Sequence, residues 1–570
     1  MKYFIYKSTL TIGIIALLTY SCSDPLDIKP SSMRTGENFI TSDENAIMAV
    51  NAIYNEMAKS HRWGNGRLES NYSDIGEMLA DFSEMGSVKG DYDDLERMIE
   101  WRPYTDEIIL DGIWQRCYTG IYKANYVLVN LPEAPIDESL KKRLMAEALF
   151  LRGHFFLRLV KVFGSVPLPT DIVYPSEYSN SVQETVHDGY LLAADDFLNA
   201  IPDLPEKSQY APDDLGRATK GAAKAMLARL YLFQVGMDKE ASESLWESVY
   251  KYSNEVITSG QYDLANNYAT IFEPEGENNI ESIFEVQYGA SASLNQGIGA
   301  GTSAVGTTIQ IRNGIRGAEN KDLPGGWGYF QPTQLLVDEF EKGDPRLSSS
   351  VYGPNYNGGI VYGIPRNYDL GQMQSEYYNR KIAIDPVSEA ASLSLAPSNG
   401  ARNVRVIRYA DVVLMHAESA YHLGKTGEAQ NDLEKIRERA RNSTYCKGYN
   451  NGSSRYTPTG KTNVLPKVTA SGSDLLEAIW HERAVELALE SQRYWDLVRT
   501  GRYLERLDVI RANSKDPLAT ELRFANLDLR ANCEARCIEG PRGIKDIPVF
   551  PLPGVEAMQW NLKQLVDIYQ

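Results

Sequence analysis

Histidine is scarce, with six in 570 residues, and the chain contains no P-loop, GxSxG, GxGxxG or HExxH motif. The closest approach, His481-Glu482, is followed by Arg483, Ala484 and Val485, so the second histidine of a zinc-binding helix is missing. Triad and metal chemistry therefore have little material. Basic charge is also in deficit: 58 Lys and Arg face 76 Asp and Glu, a net charge of −18. Nucleic acid and an anionic leaflet both require a basic face, so neither is an expected partner. Beyond residue 18 no apolar run is long enough to span a bilayer. Cysteine is limited to Cys22, Cys117, Cys446, Cys533 and Cys537. In an exported chain Cys533 and Cys537 can pair across a short loop or stay as buried thiols, and too few ligands stand nearby for a metal. A carboxylate pair for glycoside hydrolysis is defined by separation in space, so sequence leaves a surface hydrolase as a rival reading.

The first residues are more specific. Lys2 and Lys7 precede a short apolar run, Leu10 to Leu18 (LTIGIIALL), which at 1.5 Å per residue reaches about 14 Å, half of a hydrocarbon core of roughly 30 Å. This is the pattern of a signal peptide over residues 1–21 that is removed. Ser21 before Cys22 suits cleavage ahead of a lipid-bearing cysteine, although Thr19 and Tyr20 depart from the usual lipobox. Acylation of Cys22 with more than one chain would tether the protein stably, with membrane contact through the anchor only.

Helical periodicity dominates the rest. From Lys141 to Phe163, Leu144, Ala148, Leu151, Phe155 and Leu159 form one apolar face, and Gly164 and Pro167 stop it. Arg217 to Phe233, Trp246 to Ile257, Val406 to Leu423, Glu428 to Ala440 and Leu475 to Leu497 read the same way. Tyr409 to Arg439 resembles one tetratricopeptide helix pair, but no strict 34-residue period recurs. The fold class is mostly α: irregular tetratricopeptide-like helix pairs as a scaffold, a loop-rich cap and a few short strands, one of them at Glu281 to Tyr288. The cap is signalled by ten glycines between Gly289 and Gly328 and by a second Gly-, Asn- and Tyr-rich stretch at Tyr352 to Tyr378.

Glu482, Glu486 and Glu490 recur every four residues and would repel along one helical stripe unless cations intervene. They read as a paired, partly buried network that fixes helix contacts, with Arg483 and Arg493 placed to help, and Asp344 with Arg346 reads as a turn lock.

Several stretches taken together resemble the SusD/RagB family of outer-membrane nutrient-capture lipoproteins. They are CSDPLDIKP at 22–30, NAIYNEM at 51–57, WQRCYTGIYKAN at 114–125, EALFLRGHFFLRLVKVFGSVPL at 147–168 and GRATKGAAKAMLARLYL at 216–232. The tetrad Asp344-Pro-Arg-Leu347, VIRYADVVLMHAESAYHLG at 406–424, ERAVELALESQRYWDLVRTG at 482–501 and VFPLPGVE at 549–556 continue the series in the same order. The resemblance implies one domain over 22–570: a tether at 22–40, a scaffold mainly over 41–270 and 401–510, and a loop-rich insertion at about 271–400. It implies a cell-surface lipoprotein of the outer membrane that hands oligosaccharides, or in some members peptides, to a SusC-like TonB-dependent transporter. It carries no enzymatic activity and no cofactor.

Tyrosine is abundant, at 35 residues, and many lie in expected loops. A ring offers a sugar a flat apolar face at low entropic cost. At about 0.5–1.5 kcal/mol per stack, two or three rings with some hydrogen bonds reach roughly −4 to −6 kcal/mol, which is millimolar to tens-of-micromolar binding. The candidate ligand contacts are Trp327 and Tyr329 in the Gly-rich turn, Trp63 and Tyr72 around a polar stretch, and Tyr92 and Trp101. Each ring can instead pack its loop onto the scaffold. Trp114, Trp480 and Trp495 sit in helical patterns and read as core.

Overall fold

The computed structural model describes residues 39–58, 61–62, 68–69, 74–88, 90–290, 306–317, 320–395, 399–460, 465–514, 524 and 526–569. Cys22, Trp63 and Tyr72 lie outside the described residues. The main helices, in chain order, are α1 (Asp43–Ala58), α2 (Ile108–Asn130), α3 (Glu138–Phe163), α4 (Val186–Ala200), α5 (Lys220–Met237), α6 (Leu245–Ile257), α7 (Tyr409–His422), α8 (Thr426–Asn442), α9 (Ser473–Glu486), α10 (Arg493–Arg499) and α11 (Tyr503–Asn513). Four short strands matter here: β1 (Ser83–Gly86), β2 (Ser282–Val286), β3 (Tyr329–Pro332) and β4 (Val404–Arg408). No helix among the described residues is long and apolar enough to cross a membrane.

Local chemistry sets the helix ends. Asp137 caps α3 by accepting the Leu140 amide at 2.9 Å, and Gly164 ends it at a φ of 74°. Thr219 caps α5 by accepting the Ala222 amide at 3.0 Å, so this helix starts three residues later than its apolar pattern. Ala222, Ala223, Ala225 and Ala228 on α5 are fully buried, which lets neighbouring helices approach closely. Successive helices then stack, α2 on α3, α3 on α4, α4 on α5, α5 on α6, α6 on α7 and α7 on α8. The mostly helical scaffold of paired helices is as expected. Helices α6 and α7 adjoin even though residues 258–408 lie between them. That insertion is closed at its base by β2 running antiparallel to β4, with Val286 opposite Val404 and Ser282 opposite Arg408.

The structure corrects the sequence reading in two places and decides between its alternatives in a third. Residues 406–408 belong to β4, and the helix begins only at Tyr409. The thiols of Cys117, Cys446, Cys533 and Cys537 are all buried and unbridged; Cys537 Sγ donates to the Cys533 carbonyl at 3.3 Å. The helix expected over 475–497 is broken between α9 and α10, where Leu489 and Ser491 both take a φ of 60°. Ser491 is held in the break by its amide, which donates to Glu77 Oε2 at 3.1 Å, and its carbonyl lies against Gly76, where a Cβ would stand 2.2 Å from the oxygen.

Within the break Glu490 meets two cations, one of them shared with Glu486. Arg408 donates to both Glu490 oxygens, at 2.8 and 2.9 Å, and Lys381 to one at 2.7 Å. Glu486 accepts from Arg346 at 2.9 Å, from Arg408 at 2.7 Å and from Arg439. Glu482 accepts from Arg346 at 2.5 Å and Arg437 at 3.0 Å, and Glu281 from Arg408 at 2.5 Å and Arg439 at 2.8 Å. Arg346 is locked by Asp344 through Nε and a terminal nitrogen. The cations come from β4, α8 and the insertion, not from Arg483 and Arg493 as the sequence suggested. Arg483 pairs with Asp411 and Asp496, and Arg493 with Asp81.

Two outcomes follow from this packing. Replacing Glu486 by Leu strands three arginines in the interior and should cost about 3–5 kcal/mol in urea unfolding, whereas a surface carboxylate such as Glu505 should change stability by less than about 0.5 kcal/mol. Burial is the main influence on Glu77 and pushes its carboxyl up to about 7, with the Ser491 amide only partly opposing it. The folded chain thus keeps a proton that an unfolded glutamate releases near 4.5; the cost is absent below that pH and grows as pH rises through 7. Glu77→Gln should accordingly add on the order of 1–3 kcal/mol at pH 8 and almost nothing at pH 4.5, read by denaturant melts at both pH values.

Candidate ligand-binding site

The segment Pro324-Gly-Gly-Trp-Gly328 folds back on the short helix Ile309–Arg312 and the residues after it. Its amides are pinned: Gly326 donates to the Ile315 carbonyl at 3.0 Å, Trp327 to Ile311 at 2.8 Å and Gly328 to Gly314 at 3.0 Å. Glycine is required at 326, where a Cβ would lie 2.2 Å from the Gly314 backbone. Tyr329 then opens β3, which pairs antiparallel with β1 so that Gly86 faces Tyr329. Tyr329 is therefore a strand residue at the end of the turn.

This arrangement places the two rings beside a chain of polar groups. The Tyr329 hydroxyl donates to Asp91 Oδ2 at 2.9 Å, and Ser87 Oγ donates to the same oxygen at 2.6 Å. Arg316 donates to Asp91 at 3.0 Å, to the Trp327 carbonyl at 3.1 Å and, through Nε, to Gln372 at 3.2 Å. Gln372 in turn donates to Asp369 at 3.1 Å. Asp91, Arg316, Gln372 and Tyr329 are all half-buried. Burial works to raise the Asp91 carboxyl, but the hydrogen bonds from Ser87 and Tyr329 and the Arg316 guanidinium outweigh it and hold the group below its ordinary value. Burial and the Asp91 carboxylate push the Tyr329 hydroxyl up, so it is a neutral donor at physiological pH. Rings, a carboxylate acceptor and a guanidinium donor side by side suit a ligand with apolar faces and many hydroxyls.

The structure brings together Tyr92, Trp327 and Tyr329. Tyr92 is buried behind Tyr329, edge to face with it at 6.2 Å. Trp327 is half-buried, with one part of its ring packed on the cluster of Ile311, Ile384, Ala390 and Leu393. Trp101 is elsewhere and is corrected: it is wholly buried, stacked on Phe550 at 5.1 Å, with its indole donating to Tyr503 at 3.1 Å, and it presents no face to a ligand. Trp114 and Trp495 are buried as expected, and Trp480 lies half-buried on α9 with its indole donating to Glu418 at 2.9 Å. Asp91, Arg316, Gln372 and Asp369 escaped the sequence reading. Their partnership spans 225 residues between Asp91 and Arg316, and only the types of residue near Tyr92 and Tyr368 hinted at it.

Comparison with known proteins bears on this architecture. A model of the SusD family matches residues 280–521, and a second, described as starch-binding associating with outer membrane, matches residues 24–232. SusD-like protein P38 of Formosa agariphila is 23% identical over 92% of this chain and 98% of its own. The chain is a SusD-like protein. SusD-like protein P25 of the same organism is 25% identical, with 85% of this chain and 88% of the relative covered. A laminarin-binding SusD-like protein superposes with a TM-score of 0.68 at 25% identity, covering 92% of this chain and 99% of that one. A SusD homologue from Bacteroides thetaiotaomicron reaches a TM-score of 0.72 at 22% identity over 92% of this chain and 96% of its own, which establishes the shared fold.

The contacts of the two rings separate their structural duties. Trp327→Ala removes the ring from the Ile311, Ile384 and Leu393 cluster and should cost about 1–3 kcal/mol of stability. Tyr329→Phe keeps the ring and loses one hydrogen bond to a charged group, and should cost no more than about 1–2 kcal/mol in the same chemical melts.

Proposed function

We propose that this SusD-like chain is a cell-surface lipoprotein that captures oligosaccharides and delivers them to a SusC-like TonB-dependent transporter of the outer membrane. The observation that carries the reading is that half-buried Trp327 and Tyr329 are tied to the Ser87–Asp91–Arg316–Gln372 chain, Tyr329 through its hydroxyl and Trp327 through its carbonyl, which sets two partly exposed aromatic residues next to hydroxyl partners. The relatives support the choice of ligand: one solved relative is a laminarin-binding SusD-like protein, and a surface glycan-binding protein A from Bacteroides thetaiotaomicron, 21% identical, was solved with laminarihexaose. The outer-membrane setting is supported by the family description for residues 24–232. Anchoring through acylated Cys22 and removal of residues 1–21 complete the reading. Membrane attachment then needs no spanning helix, since more than one acyl chain holds a protein stably.

The mechanism is one of binding and release. Rings orient the sugar, the Asp91 carboxylate accepts from its hydroxyls, Arg316 and Gln372 donate to them, and modest affinity permits transfer onward. Trp63 and Tyr72 remain proposed contacts alongside these groups.

Calorimetric titration of the mature chain with an oligosaccharide panel that includes laminarihexaose tests the reading. We expect binding in the millimolar to tens-of-micromolar range, weakened about 2–10-fold by Trp327→Leu, which keeps an apolar packing partner, and similarly by Tyr329→Ala. Binding of peptides with no response to any glycan would replace the cargo assignment, and sustained release of new reducing ends would replace it with hydrolysis.

A further inference from the structure

Scaffold and insertion do not meet flush: between them lies a cavity of about 140 Å³, walled by α3, α5, β4, residues 379–382 and the break at Leu489–Gln492. That is room for several waters or one small polyatomic ion. On the scaffold side its wall is a stripe of α3 on which His154, Arg158 and Lys161 recur at i, i+4 and i+7. Both left-handed residues of the broken helix, Leu489 and Ser491, also line the cavity. Strained backbone of this kind gathers at sites that bind something.

Three cations of the wall have carboxylate partners. Arg229 is taken up by Asp411 at 3.1 Å, Lys381 by Glu490 at 2.7 Å and Arg405 by Glu285 at 3.4 Å. Glu77, the other wall carboxylate, keeps its proton to about pH 7. Among the described residues no carboxylate lies within ion-pair distance of Lys161. Its ammonium sits instead over two rings, 3.7 Å from the centroid of Phe233 and 4.0 Å from that of Trp495. Burial first, and Arg229 second, pull this ammonium towards its neutral form, with Asp496 and Asp411 opposing from a distance. A half-buried ammonium with aromatic walls and open volume in front of it has no carboxylate partner among the described residues.

We propose that this cavity is a binding site for a small anion, a tetrahedral oxyanion or a carboxylate, held against the Lys161 ammonium where α3 faces the insertion. The bound anion would join the two halves of the molecule and act on their stability, independently of any glycan on the Trp327 and Tyr329 surface.

Scanning calorimetry of the full mature chain, in sodium chloride, sodium sulfate and sodium glucuronate at equal ionic strength, tests this. The expected result is a saturable rise in Tm of about 1–3 °C in sulfate, in glucuronate or in both, with sulfate alone assigning an oxyanion and glucuronate alone a carboxylate. Lys161→Met, which keeps the length of the stem between Phe233 and Trp495, should abolish the rise, and Lys161→Gln provides a second variant should the first fail to fold. No saturable rise with either anion, or an equal rise in the variants, overturns the proposal, because general salting effects do not depend on one side chain.

Discussion

Four buried carboxylates, Asp344, Glu281, Glu482 and Glu486, with half-buried Glu490, face five buried cations, Arg346, Arg408, Arg437, Arg439 and Lys381, and the rest of the molecule is arranged around them. Members come from α8, α9, β4, the approach to β2 and the insertion, so the network is where scaffold and cap become one body. Removing charges from water is expensive, and the expense is recovered only when geometry satisfies nearly every lone pair and proton. Glu486 meets that demand by accepting from three arginines at once. The helix break is part of that geometry: it is flanked by Leu489 and Ser491 at a φ of 60°, and Glu490 between them meets Arg408, which it shares with Glu486, and Lys381.

Against that rigid base, the candidate ligand surface is built from groups that stay partly in water. Asp91, Arg316, Gln372 and Tyr329 already hydrogen-bond one another, which holds the rings and polar atoms in place before a ligand arrives and lowers the entropy that binding must overcome. The turn that presents Trp327 is equally fixed, by three backbone hydrogen bonds to the strand of chain around Ile311 to Ile315. Preorganisation of this kind favours selectivity between hydroxylated ligands even where affinity is modest.

Much of the scaffold could be read from periodicity, because α3, α5, α6 and α8 each satisfy a 3.6-residue apolar pattern, with side-chain caps from Asp137 and Thr219 at the starts of α3 and α5. The break could not. Glutamates at 482, 486 and 490 fit a helix perfectly, and the forces that end it come from residues 78 to 140 positions away, such as Arg408 and Arg346. The same limit applies to the surface. Aromatic type and a Gly-rich turn pointed to Trp327 and Tyr329, but nothing local distinguished them from Trp101, whose loop-like segment conceals a ring at a φ of 54° stacked on Phe550 near the far end of the chain. Polar partners were illegible for a related reason: Asp91 and Arg316 are ordinary surface residues until the fold makes them neighbours.

Antiparallel pairing of β2 with β4 has a consequence for how such a chain can diversify. It returns the chain to the scaffold at the point from which it left, and the buried ions fasten both margins there. The long excursion between them behaves as a graft whose root is fixed, held again midway through Arg346 and Lys381, and whose outer turn around Trp327 packs on the insertion itself. Mutation in that turn can then change what is recognised while foldability is inherited from the root.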